Sequence, residues 1–285
     1  MKIYISTGLE KDIKTLAIAK KFIKNGINKI EFSSGNYEKN ILKKIKQLNI
    51  DSQIHNYFPV PKKAFIINLA SKNNKIFTKT MNHLKRSINF SSKIKAKYFS
   101  FHAGFLVDPN LKDFGKTLER NIVNDHSKCL ELFIKRLNIL ANYAKKKNVK
   151  ILIENNVITK KNLSRFDKNP FIMSSYVDAF KIMKKCGNNN VGLLVDVAHL
   201  KVSAKTLKFK PEDYLIKLDK YIKGYHLSDN NGLADENKNV TTHSWFWKYI
   251  KKDKDFCTLE LKNLKITNVM KQLNLVKKKI KYEKN

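Results

Sequence analysis

The chain has 285 residues, 42% hydrophobic and 11% aromatic, which excludes an unfolded polypeptide and suffices for one large core. Its charge is lopsided, with 58 lysines and arginines against 24 aspartates and glutamates, a formal net charge of +34. Such a field attracts nucleic acid, anionic membrane or phosphorylated ligands, yet only Arg86, Arg120, Arg136 and Arg165 are arginine, the residue suited to planar phosphate recognition, so the lysine excess reads as compositional bias on solvated faces.

Elements follow one another in a regular order. Lys2–Ser6 reads as a strand rather than as a charged leader before an apolar stretch. Helical spacing follows over Ile13–Lys24, punctuated by Gly26, then a strand over Lys29–Ser33 and a helix over Glu38–Leu48. The next pairs are Ser52–Asn56 with Lys75–Ile94, Tyr98–His102 with Leu118–Lys147, and Lys150–Asn155 with Ser174–Lys185, the last closed by Gly187. Val191–Asp196 precedes a helix opened by Pro211 and ending at Leu218, Ile222–Leu227 precedes Ser244–Lys251, and Cys257–Leu261 precedes Ile266–Ile280. Lys277–Asn285 reads as a frayed tail.

Eight strand–helix pairs in a chain of 285 residues predict an α/β fold, a single-domain (β/α)8 TIM barrel spanning residues 1–285, with a doubly wound open sheet as the alternative. Cys129, Cys186 and Cys257 are odd in number and lack C-x-x-C spacing, so neither a disulfide framework nor a thiolate zinc site is expected, and a reducing cytoplasm fits best. No run reaches the roughly 18 apolar residues that span a bilayer, and no membrane partner is expected.

Polar residues interrupt the strands at their C-terminal ends. Glu154, Asp196, His226 and Glu260 each close an apolar run, and in a barrel those ends meet at one mouth, where the active sites of this fold lie. Three carboxylates so placed repel one another unless a divalent cation holds them. An oxygen-rich set with one imidazole suits one Mn²⁺, Mg²⁺ or Co²⁺ and tolerates Zn²⁺. His55 and His102 end further strands, His199 lies three residues past Asp196, and His243 sits in a later loop; these are candidates for further metal or substrate contacts. His83 and His126 fall within helical segments and read as surface or packing residues.

The segments Glu154-Asn155-Asn156, Asp196-Val197-Ala198-His199-Leu200, His226-Leu227-Ser228-Asp229 and Leu259-Glu260 resemble the strand-end motifs of the xylose-isomerase-like barrel superfamily of sugar isomerases, sugar epimerases and endonuclease IV-type apurinic endonucleases. Ser6-Thr7-Gly8, Glu31-Phe32-Ser33-Ser34-Gly35, His55-Asn56-Tyr57-Phe58-Pro59, His102-Ala103-Gly104-Phe105 and Ser244-Trp245-Phe246-Trp247 resemble the sugar phosphate isomerase/epimerase-like proteins encoded among surface-polysaccharide genes. The resemblance implies a sugar isomerase or epimerase in which Glu154, Asp196, His226 and Glu260 hold one divalent ion that stabilises an enediolate. Glu154 and Glu260 would be the acid/base pair and His199 would steer a substrate oxygen or complete the metal shell. Asn56, Tyr57 and Trp245, with His55, would shape the sugar pocket, and Lys201 would meet a phosphate. Relatives form homo-oligomers, so self-association is a further expectation.

The rival within the same superfamily is the zinc-dependent apurinic/apyrimidinic endonuclease, which holds three metals through a histidine-rich set and takes nucleic acid as its partner. This chain offers His55, His102, Glu154, Asp196, His199, His226, His243 and Glu260 in that order. Two departures weigh against it: the family's Asp-x-His stands here as Thr241-Thr242-His243, and its His-Pro-Gly turn as His102-Ala103-Gly104. Scarce arginine weighs the same way. A barrel that binds a sugar or nucleotide without turning it over is the third class, disfavoured because unused buried carboxylates are costly to keep.

Overall fold

A computed structural model describes residues 1–8, 14–113, 116–166 and 168–282. Eight strands form a closed parallel barrel in sequence order: β1 (Lys2–Ser6), β2 (Lys29–Phe32), β3 (Asp51–His55), β4 (Tyr98–His102), β5 (Lys150–Glu154), β6 (Val191–Asp196), β7 (Ile222–Leu227) and β8 (Phe256–Leu259). β8 pairs with β1 from Lys2↔Phe256 to Ile5↔Leu259, which leaves no open edge. The helices are α1 (Thr15–Lys24), α2 (Ile41–Lys46), α3 (Asn74–Lys93), α4 (His126–Lys145), α5 (Lys160–Leu163), α6 (Tyr176–Cys186), α7 (Val197–Leu207), α8 (Pro211–Lys217) and α9 (Ile266–Tyr282). All eight expected strands form, and the TIM barrel stands in place of the open sheet.

Strand side chains alternate between two surroundings, as the two-residue period of a strand requires. Ile5, Ile30, Ile54, Phe99, Ile151, Leu193, Tyr225 and Cys257 belong to the large core shared with Leu84 and Ile88 of α3, Phe133 and Leu137 of α4 and Ile182 of α6. The intervening positions Tyr4, Tyr98, Leu152, Leu194 and Phe256 form a separate apolar plug inside the barrel, the layered filling typical of this architecture. Gly224 shares that level, and a Cβ there would lie 2.5 Å from the Phe256 ring, so the absent side chain makes room for the aromatic one. Two residues further along each strand the inward positions turn polar, giving Ser6, Ser100, Glu154, Asp196, His226 and Thr258, all buried.

Helix boundaries depart from the expectation where caps decide them. α4 begins at His126 rather than Leu118 because the Asp125 carboxylate accepts the Lys128 N–H at 2.8 Å and fixes the N-terminus there, while Leu118 packs into a satellite cluster with Phe166 and Phe171. α2 is confined to Ile41–Lys46. Ser244–Lys251 contains only a 3₁₀ turn, Trp245–Lys248. α7 was not anticipated. It follows β6 with no intervening loop, since Asp196 ends the strand and caps the helix. α9 continues to Tyr282, into the stretch expected as a tail, and 283–285 and Ile13 lie outside the described residues. The three cysteines are free and buried. No helix among the described residues is long and apolar enough to cross a membrane.

Candidate metal centre and active site

Glu154, fully buried at the end of β5, is the hub of the mouth. Its Oε1 lies 3.0 Å from His226 Nδ1, and its Oε2 lies 3.3 Å from His55 Nε2 and 3.2 Å from His102 Nδ1. His226 Nδ1 is also 3.1 Å from Glu260 Oε2 and 4.0 Å from Asp196 Oδ2. Register explains the convergence: Asp196 pairs directly with His226 across β6 and β7, and His102 with Glu154 across β4 and β5. Glu260, one residue past β8, is held by its N–H on the Leu227 carbonyl at 3.2 Å. Ligand atoms of Glu154, Asp196, His226 and Glu260 lie within 4.8 Å of one another, so the four residues expected around one cation are brought together.

The site's own groups do not satisfy one another. Of twelve buried side-chain atoms without a hydrogen-bond partner among the described residues, seven are here: Glu31 Oε1, His102 Nδ1, both Glu154 oxygens, Asp196 Oδ2 and both His226 nitrogens. Such atoms are expensive to bury unless something pairs with them. A divalent ion answers that need, and the oxygen-rich donor set with one imidazole fits Mn²⁺, Mg²⁺ or Co²⁺ and accepts Zn²⁺.

Burial dominates the protonation of the carboxylates. It pushes Glu154 up to about 7 against the pull of His226, and Asp196 up to about 6 against that of His199. The imidazoles divide into two kinds. Burial and the neighbouring His226 hold His55 well below the usual range, and burial and His199 bring His102 down to about 3, so both are neutral. Burial also opposes charge on His226, but Glu31, Glu154 and Glu260 outweigh it and hold its pKa well above the usual value.

His199 stands on the first turn of α7, where the Asp196 Oδ1 accepts its N–H and that of Ala198, each at 2.8 Å. Its Nδ1 meets the Asn155 carbonyl at 3.1 Å and its Nε2 meets Asp235 Oδ2 at 3.2 Å. Together with His102 and Glu154 it forms a second group able to hold a metal, while His55, Glu154 and His226 form a third, overlapping the main one. Asn155 ties β5 to β6 by donating to the Asp196 carbonyl and accepting its N–H, at 3.0 and 2.9 Å.

The remaining expected residues fare differently. His243 is exposed on a turn and belongs to none of the metal-capable groups among the described residues. The loop doubles back through paired bonds between Asp229 and Lys238, 3.0 and 2.9 Å long, and Asp235 reaches the site where His243 was expected to. Asp235 is the acidic side chain this loop brings against His199, and it belongs to none of the metal-capable groups among the described residues. Lys201 is held by Asp229 Oδ1 at 2.7 Å and by the Asn230 carbonyl, which engages the ammonium expected to meet a phosphate. Tyr57 accepts the Ile67 N–H at 2.9 Å and packs its ring against Phe65 and His83, a packing role. Trp245 is half-buried beside Phe246 and Tyr249, and its buried indole N–H has no hydrogen-bond partner among the described residues. Asn56 adopts φ 50° directly after His55, and its carbonyl lies 3.4 Å from His83 Nε2. His83 is buried and His126 lies 3.0 Å from Asp178, both away from the hub. Glu31 of β2 was missed as a site residue: it is fully buried, with Oε1 2.9 Å from His226 Nε2.

A closed (β/α)8 barrel with a carboxylate–imidazole cup at the C-terminal ends of its strands defines the class. Residues 19–265 match the family described as xylose isomerase-like TIM barrel, and the chain belongs to that family. By sequence, no curated protein matches it. Among solved structures it is similar to a D-tagatose 3-epimerase-like protein, with 18% identity, 98% of this chain and 97% of that one covered and a TM-score of 0.73. It is also similar to 3-keto-D-glucoside 4-epimerase from E. coli, with 10% identity, 97% and 99% covered and a TM-score of 0.67. A third is a protein from Thermus thermophilus soaked with ZnCl₂, with 15% identity, 98% and 99% covered and a TM-score of 0.63.

Proposed function

We propose that the protein is a divalent-metal-dependent isomerase or epimerase acting on a sugar or sugar derivative. The observation that carries this reading is the placement of Glu154, at the end of the fifth strand, and Glu260, just past the eighth, both about 3 Å from one imidazole nitrogen and grouped with Asp196. Two carboxylates reaching one point from different strands suit removal of a carbon-bound proton on one face and its return on another. Similarity to structures named as tagatose-like 3-epimerase and keto-glucoside 4-epimerase supports the same chemistry.

Glu154, Asp196, His226 and Glu260 would hold the divalent cation, which would supply Lewis acidity toward a substrate carbonyl. The chain's own residues do the rest. One of Glu154 and Glu260 takes the proton from the carbon beside the carbonyl, and the other returns a proton. His199, both ring nitrogens held by the Asn155 carbonyl and Asp235, places a fixed positive charge beside the hub that favours a negatively charged substrate oxygen.

Incubating the protein in D₂O with Mn²⁺ and a panel of ketopentoses and ketohexoses tests this, with deuterium expected at the carbon next to the carbonyl. Glu154→Gln and Glu260→Gln should each cut exchange by about 10²- to 10⁴-fold. Retained exchange in either variant removes that residue from proton transfer.

A second reading, an endonuclease acting on abasic DNA, is favoured by the additional donor group His102–Glu154–His199 and by the Asp235 carboxylate beside it. Exposure of His243 weighs against it. Elemental analysis separates the two: one ion per chain supports the sugar enzyme, whereas three zinc ions and nicking of an abasic duplex would replace it.

A further inference from the structure

Glu31 is a buried carboxylate that the proton-transfer scheme leaves without a task. It lies on β2, opposite Ser6 of β1 and Gln53 of β3 in register, and none of its surface meets solvent. Its Oε2 accepts the Thr258 hydroxyl at 3.1 Å, and its Oε1 stands 2.9 Å from His226 Nε2. That second contact is a charge contact and not a straight hydrogen bond, since neither atom has a well-directed partner.

The two nitrogens of the His226 ring face chemically different surroundings. Nδ1 looks at Glu154 Oε1, Glu260 Oε2 and Asp196 Oδ2, at 3.0, 3.1 and 4.0 Å. Nε2 looks at Glu31. A ligating imidazole must present a bare nitrogen, and a neutral ring has one proton to place. The nitrogen among the metal-facing carboxylates is Nδ1, which leaves the proton on Nε2, in front of Glu31. A carboxylate kept fully buried at that spot is costly unless it is used.

We propose that Glu31 is a positioning residue that fixes His226 as the Nε2–H tautomer with Nδ1 free for the cation, Thr258 in turn orienting Glu31. This rests on the reading of Glu154, Asp196, His226 and Glu260 as a cation site. Carboxylates behind metal-bound histidines orient the ring and raise its basicity, and removing one commonly weakens metal binding 10- to 100-fold.

The test uses the full-length protein, Zn²⁺ as a diamagnetic probe, chelator competition for affinity at one fixed pH, and imidazole nitrogen NMR of histidine-labelled samples. Wild-type protein is expected to bind Zn²⁺ with His226 protonated at Nε2. Glu31→Ala should bind about 10- to 100-fold more weakly, and its His226 signal should lose the single-tautomer pattern. Glu31→Gln, which keeps an acceptor oxygen and the same shape, should fall between the two, and Thr258→Val should show a smaller loss in the same direction. Should Glu31→Ala fail to fold by circular dichroism, Glu31→Gln and Thr258→Val carry the comparison. A wild-type chain that takes up no Zn²⁺ overturns the cation site and Glu31's task with it. Tight Zn²⁺ binding by wild type with affinity unchanged within twofold in the variants, or a loaded His226 protonated at Nδ1, overturns the Glu31 assignment alone.

Discussion

At the scale of single residues, the mouth holds imidazoles of opposite character within a few ångströms. His55 and His199 are buried and His102 half-buried around Glu154, yet of the three only His199 is held well above its usual pKa; burial opposes the charge there, and Asp196 and Asp235 overcome it. Asp235 is the partner in contact, 3.2 Å from Nε2, whereas Asp196 Oδ2 stands at 3.9 Å. Replacing Asp235 by Asn keeps the shape and removes the charge, so the His199 pKa should fall in the metal-free protein, as an NMR titration of its ring nitrogens would report. An unmoved value would leave Asp196 and Glu154 as its support. The sequence reading reached Glu154, Asp196, His226 and Glu260 because each polar group ends an apolar run. It passed over Glu31 because Ile30-Glu31-Phe32 lies inside a short strand whose inward face is known only once the barrel closes. Asp235 was hidden for another reason: it sits in a loop without periodicity, where position depends on the Asp229–Lys238 pairing and not on local pattern.

At the scale of elements, Asp196 joins two of them and serves the site at the same time. Its Oδ1 caps α7 through the Ala198 and His199 N–H groups, and its Oδ2 is the buried oxygen without a partner that faces His226. The two tasks separate by mutation. Asp196→Asn retains a capping oxygen but removes a counter-charge of the buried His199, so it should keep the cap while losing cation affinity. Asp196→Ala loses the cap as well, at a cost of roughly 0.5–2 kcal/mol, so it should melt below Asp196→Asn in chelator. Urea or thermal melts beside a metal titration check both; equal stability of the two variants would deny the capping role. This fusion of strand and helix also explains why α7 was illegible: Val197-Ala198-His199-Leu200 continues the apolar run of β6, and no loop residue marks the change of period. Most strands were readable as short runs whose outward face packs on helices, and β1, β4, β5, β6 and β8 also fill the plug.

At the scale of the whole molecule, the metal-free fold encloses titrating groups that oppose one another across the pH range, and the sign of their effect can be worked out. Burial raises Glu154 to about 7 and Asp196 to about 6, above their ordinary values, so the folded state holds those protons more tightly and loses stability as pH rises through that window. His226 and His199 are raised as well; their contribution is present below the ordinary histidine value and is lost as pH passes their folded-state values. Both effects make the chelated protein weaker as the solution becomes more alkaline, while His55 and His102, whose pKa values are lowered, push the other way up to the ordinary histidine value. A divalent cation needs the opposite state, with carboxylates ionised and His226 Nδ1 bare, so its affinity rises with pH. The gap between loaded and chelated melting temperatures should therefore widen from pH 6 to pH 8. With free Mn²⁺ at about 100 times its Kd the stabilisation is about 2.7 kcal/mol, or roughly 4–5 °C for a chain of this size. Melting curves in Mn²⁺ and in EDTA across that range measure it directly, and a gap that stays constant or narrows toward pH 8 would place the cation away from Glu154, Asp196 and His226.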